Sequence, residues 1–129
     1  PGAITATIER LYEIGIYPDW WKLEPAGTDE EFEQISAVIN ENDPWCRGIV
    51  LLGLAAPMDE LLASFRMAAA HGLVKGFAVG RSIWHDAAQS WLAGETGDDQ
   101  FVASVRERFL TLVNAWAEAR TTEQRIGNA

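Results

Sequence analysis

The chain has 129 residues, 48% of them hydrophobic, with 10 basic against 19 acidic side chains and a formal charge of -9. That is enough apolar mass for one core in one domain, while the acidic surface repels phosphate backbones and anionic membranes and excludes nucleic acid and lipid headgroups as partners. Cys46 is the single cysteine, so no internal disulfide or zinc-type cluster is expected; with no apolar run near the roughly 20 residues of a membrane span and no leader pattern, the expected compartment is a reducing cytoplasm.

Residue 1 is a proline that runs almost directly into a helix-like stretch at 4–14, as though the chain were cut from something longer. Three short apolar runs follow, at 17–23, 48–54 and 76–83, each preceded by a turn signal and followed by a helical pattern. Their starts lie about 30 residues apart, the length of a strand plus a returning helix, which predicts parallel βαβ units.

Thr28 and Glu31 have capping-box spacing ahead of Phe32, Ile35, Val38 and Ile39, an apolar stripe that Asp43-Pro44 ends. The next helix opens at Pro57, carries Leu61, Leu62, Phe65 and Ala69 on one face, and stops at Gly72. A short helix is expected at 86–92 and a break at 94–97. A long helix capped by Asp98 or Asp99 follows, with Phe101, Val105, Phe109, Leu112 and Trp116 on its apolar stripe. The tail 121–129 has no periodicity and is expected to fray.

The run Gly-Ile-Val-Leu-Leu-Gly-Leu at 48–54 is apolar throughout, the pattern of a strand covered on both faces. Three parallel strands alone leave two bare edges, and a closed (β/α)8 barrel takes about 250 residues. The expected fold is therefore α/β, a portion of a TIM barrel with roughly half of the barrel absent.

In Asp19-Trp-Trp-Lys-Leu-Glu24 the period of two puts Trp20, Lys22 and Glu24 on one face. A lysine in so apolar a strand is costly to keep charged, and desolvation favours the neutral amine, a nucleophile toward ketones. Glu24 acts in the opposite sense by stabilising the ammonium. Two readings stand: a Schiff-base lysine, or a strand-end lysine that reaches solvent or pairs with Glu24.

Gly80-Arg-Ser-Ile-Trp84 ends the third run and opens a helix. A glycine for close approach, helix N-terminal amides and an arginine fork suit a phosphate, and Gly53 at the end of the preceding run would face the same place. The alternative is a turn glycine with Arg81 in a surface ion pair. His71, just before Gly72, reads as a cap for helix carbonyls. His85 stands near Arg81 with no role assigned. The six tryptophans read as core packing in preference to a carbohydrate-stacking surface.

Taken together, Leu11-Tyr-Glu-Ile-Gly-Ile-Tyr-Pro-Asp-Trp-Trp-Lys-Leu-Glu-Pro25, Asp43-Pro-Trp-Cys-Arg-Gly-Ile-Val-Leu-Leu-Gly53 and Lys75-Gly-Phe-Ala-Val-Gly-Arg-Ser-Ile-Trp84 resemble the aldolase-like domain of some bacterial 5-dehydro-2-deoxygluconokinases of myo-inositol catabolism. That domain is in turn similar to class I tagatose-bisphosphate aldolases, whose imine-forming lysine lies on barrel strand six in Asp-x-x-Lys-x-Glu-x-Pro. Asp19, Lys22 and Glu24 keep that spacing, Pro25 comes one residue early, and Leu52 stands where the related aldolases tend to have serine.

The resemblance implies that the three runs are strands six to eight, that Lys22 forms the imine, and that Gly80 and Arg81 hold the phosphate of a sugar phosphate. The implied reaction cleaves 6-phospho-5-dehydro-2-deoxygluconate to dihydroxyacetone phosphate and malonate semialdehyde, without a cofactor or metal. Glu24 is the local carboxylate for proton transfer, although the resemblance places that group on earlier strands. The second expectation is a non-catalytic sugar-phosphate-binding or scaffolding module beside a kinase domain. A third, a metal-dependent barrel lyase, finds no histidine and carboxylate cluster here. Unpaired sheet edges predict a homo-oligomer when the segment stands alone.

Overall fold

The computed structural model describes residues 2–53 and 56–126. Its elements in order are α1 (Ala3–Glu13), β1 (Trp20–Leu23), α2 (Asp29–Asn42), β2 (Gly48–Leu51), α3 (Met58–Ala68), β3 (Val74–Phe77), α4 (Arg81–Leu92) and α5 (Asp98–Ile126). The strands form one parallel sheet in the order β1-β2-β3. The expected βαβ succession is present, as an α/β fold with five helices; Leu54, the last residue of the second run, lies outside the described residues.

Local chemistry sets the helix ends. Thr28 Oγ1 accepts the Glu31 amide at 3.2 Å, as the capping spacing predicts, but the Glu31 carboxylate turns outward to the amides of Gly27 and Gly2, at 3.0 and 3.4 Å. Pro57 caps α3 and the chain turns after Ala68. His71 does not cap carbonyls: its Nε2 lies 3.0 Å from Asp29 Oδ1 and its ring stacks on Phe32 at 4.8 Å. Longer cations take the carbonyls beyond α3, Lys75 donating to Gly72 O and Arg120 to Ala69 O.

One cluster joins the buried side chains of all five helices to Trp21, Ile49, Leu51 and Val74. Trp20, Lys22 and Val50 point the other way, with Trp20 and Lys22 exposed and Val50 half-buried. The sheet therefore has one helix-packed face and one open face, which differs from the two-sided cover expected of β2.

β3 begins two residues earlier than the apolar run and is shorter. Ile49 pairs with Val74 but Val50 with Gly76, so Lys75 has no partner across the ladder. The bulge puts Val74 and Phe77 on the core face with a spacing of three that strict alternation does not produce. Ahead of the bulge, Leu73 O accepts the Ile49 amide at 2.9 Å and stands 2.5 Å from where a Cβ on Gly48 would be, at a φ of 139°, so only glycine fits there.

The helix expected at 86–92 starts instead at Arg81 and takes in Ile83, assigned from sequence to the strand. Its buried Ile83 joins the core, and the long sides of α4 and α5 pack together. α5 continues through Ile126, past residue 121 where fraying was expected. Trp116 packs edge-on against Phe65 at 5.6 Å and Arg120 is tied to Ala69 O, so the helix is held well along its length and propagates cheaply from there. Residues 127–129 of that tail lie outside the described residues.

The tryptophans divide. Trp21 is buried and donates to Tyr12 Oη at 3.0 Å, and Trp116 is half-buried, whereas Trp20, Trp45, Trp84 and Trp91 are exposed, Trp45 by 86%. Core packing accounts for only part of the set. Burial pushes the Tyr12 phenol above its usual value. A raised phenol contributes stability that is present below tyrosine's ordinary value of about 10 and is lost as pH rises past it. Urea unfolding at about pH 8 and about pH 11 should show a larger loss for the native chain than for Tyr12→Phe, which has nothing to ionise there.

Candidate active site

Because the three strands are parallel, their C-terminal ends lie along one edge of the sheet, and whatever follows each strand meets there. Lys22 on β1 pairs in register with Val50 on β2. The ladder continues past the strands, Leu52 N to Leu23 O at 2.9 Å and Ala78 N to Leu51 O at 2.7 Å, which fixes the backbone leading to Gly53 and to Gly80. A groove of about 350 Å³ results, lined among others by Lys22, Gly53, Gly80, Arg81, Ser82 and Trp84. Four of the five residues singled out from sequence therefore border one space.

The fifth, Glu24, does not. It lines a neighbouring hollow with Lys22, Leu52 and the first turns of α1. No ion pair joins Lys22 to Glu24 among the described residues, nor does one engage Arg81. Lys22 thus reaches the groove as an exposed, unbridged amine, and the desolvation expected of a nucleophilic lysine requires cover over the open face of the sheet. In a chain of charge -9, this groove is lined by two cations and no carboxylate, which favours an anionic occupant.

Gly80 caps α4 without a side-chain hydrogen bond; its carbonyl accepts the Ile83 and Trp84 amides at 2.8 and 3.3 Å, which leaves the Arg81 and Ser82 amides of this 12-residue helix without an acceptor among the described residues. Ser82 Oγ, in the same turn, is buried and has no hydrogen-bond partner among the described residues. Gly53 is buried, and a Cβ there would stand 2.8 Å from Val79 Cγ1, so the absent side chain serves close packing of the groove wall. Gly53→Ala is expected to cost about 1–3 kcal/mol by overpacking a stiff β-branched neighbour, measurable as a lower urea midpoint.

A larger cleft, about 500 Å³, adjoins it through Arg81 and Ser82 and lies between the N-termini of α3 and α4 and the side of α5. His85 lines this cleft and not the Lys22 groove. Arg108 there is committed to Asp86 at 2.9 Å and to Ser82 O at 3.3 Å. The smaller groove carries the better chemistry because it alone holds the strand lysine and the α4 cap together. Ser82 and Trp84 were quoted in the sequence segment without a role; the i, i+4 relation of Gly80 and Trp84 is the signal that places the indole over the cap.

Among the described residues, no group of three or more histidine, cysteine, aspartate or glutamate side chains could hold a metal ion, and no helix is long and apolar enough to cross a membrane.

Fold and groove define an α/β protein that presents a lysine and an arginine at the C-terminal edge of a one-sided parallel sheet. The chain belongs to the bacterial family described as "Uncharacterized protein conserved in bacteria (DUF2090)", whose pattern matches residues 1–120. No curated protein and no solved structure matches it.

Proposed function

We propose that this chain is the imine-forming portion of a class I aldolase acting on a ketose-type sugar phosphate, with β1, β2 and β3 as strands six to eight of a (β/α)8 barrel. The observation that carries the reading is the meeting of Lys22 with the Gly80-Arg81 turn across a groove that has no carboxylate in its lining. One helix-packed face, one open face and unpaired edges on β1 and β3 support the barrel, in which further strands would close over Lys22. Those strands come from the same protein, a fused kinase-associated chain or a second copy.

In the proposed reaction the Lys22 amine adds to C5 of 6-phospho-5-dehydro-2-deoxygluconate, and loss of water leaves an iminium. A base takes the proton from the C3 hydroxyl, the C3–C4 bond breaks, and its electron pair moves into the iminium to give an enamine. Malonate semialdehyde departs; protonation at C4 and hydrolysis release dihydroxyacetone phosphate and restore the amine. Gly80 and Arg81 hold the phosphate. Glu24 sits in the adjoining hollow, so the base comes from the covering strands. The full-length protein should release dihydroxyacetone phosphate from this substrate.

The second reading, a non-catalytic sugar-phosphate module beside a kinase domain, draws on the exposure of Lys22. Tight binding of the same sugar phosphate by the full-length protein with no turnover would decide for it.

A further inference from the structure

Trp84 stands at the fourth position of α4, one turn beyond its cap. Helical side chains lean toward the N-terminus, and its indole accordingly lies back over Gly80, with Nε1 3.5 Å from where a Cβ on that residue would stand. Trp21 and Trp91 spend their indole N–H groups on Tyr12 Oη and Asp98 Oδ1. Trp84 is 43% exposed, borders the groove with Lys22 and Arg81, and its indole N–H has no acceptor among the described residues.

We propose that Trp84 is a specificity-determining residue of this groove, donating its indole N–H to an oxygen of a bound phosphate monoester. The inference rests on the aldolase reading for the role of Lys22: with that amine committed to the ketone carbon, Arg81 and the indole remain for the anionic end. An indole N–H only donates, so it favours a phosphate oxygen over a group that must itself donate. The missing side chain of Gly80 leaves that N–H uncovered.

The test is a titration of the isotope-labelled protein with inorganic phosphate, following the indole N–H resonances by NMR, with the Trp84 signal assigned by its loss in Trp84→Phe. The Trp84 signal should show the largest saturable shift, and Trp84→Phe, followed at the Arg81 amide, should bind phosphate about tenfold more weakly, the worth of one hydrogen bond to a charged acceptor. Gly80→Ala places a methyl over the N–H at an ordinary contact distance and should weaken binding while the indole remains. An unmoved Trp84 signal, or unchanged affinity in both variants, overturns the proposal. Borohydride trapping with unphosphorylated dihydroxyacetone needs no phosphate contact and reports on Lys22 separately. An adduct without a Trp84 response sinks this inference alone, and a Trp84 response without an adduct sinks the aldolase reading alone.

Discussion

Replacing Lys22 with methionine is expected to lower aldol turnover of the full-length protein by at least about a thousandfold, the scale of losing a covalent nucleophile. Methionine keeps an unbranched apolar stem on β1 and removes only the amine. Lys22 is exposed and joins no ion pair among the described residues, so the urea midpoint should stay in place and the loss should be chemical. Substrate affinity should fall little, since the phosphate end is held by the α4 cap across the groove. A variant that keeps native turnover would remove Lys22 from the reaction.

Phe65→Ala is expected to have the largest effect on stability, about 3–5 kcal/mol. The ring is fully buried, stacks on Phe77 at 4.9 Å and meets Trp116 edge-on at 5.6 Å. It therefore ties α3 to β3 and to α5 at once, and its loss leaves a cavity bordered by two other rings, of which Phe77 is also held by Phe109 at 6.4 Å. Such a loss is a large fraction of the 5–15 kcal/mol that holds a typical domain, so chemical unfolding should show a much lower midpoint. Restoring leucine at 65 should recover part of it.

What could be read before the structure was the alternation of short strands and helices. The apolar runs, the Thr28 cap and the stripes on α2 and α3 are local signals, and each produced its element. What could not be read depended on neighbours. The Lys75 bulge belongs to the pairing of β3 with β2, which no local signal in the sequence marks, so the start of β3 was misplaced. Arg81 to Ile83 look like the end of a strand by hydropathy, yet Ile83 reaches the core only from a helix. The tail as far as Ile126 lacks a periodic stripe and is helical because Trp116 and Arg120 anchor α5 to α3 and to the turn that follows it.

The site divided along the same line. Parallel strands bring their C-terminal ends together, so Gly53, Gly80 and Arg81 could be grouped from topology, while Lys22 joined them through the family resemblance. Glu24 was placed beside Lys22 by alternation, but β1 ends at Leu23 and the carboxylate turns into the next hollow. Trp84 was hidden because its place follows from the lean of a helix that starts at Arg81, ahead of the expected position 86.

The proposed aldolase chemistry stands on an imine at Lys22. Borohydride reduction of the full-length protein with dihydroxyacetone phosphate, followed by peptide mapping, tests it most directly. One irreversible three-carbon adduct is expected, on the peptide carrying Asp19 to Glu24 and on Lys22 within it, absent from Lys22→Met. Saturable binding of dihydroxyacetone phosphate with no adduct, or an adduct on Lys75 in its place, would contradict it.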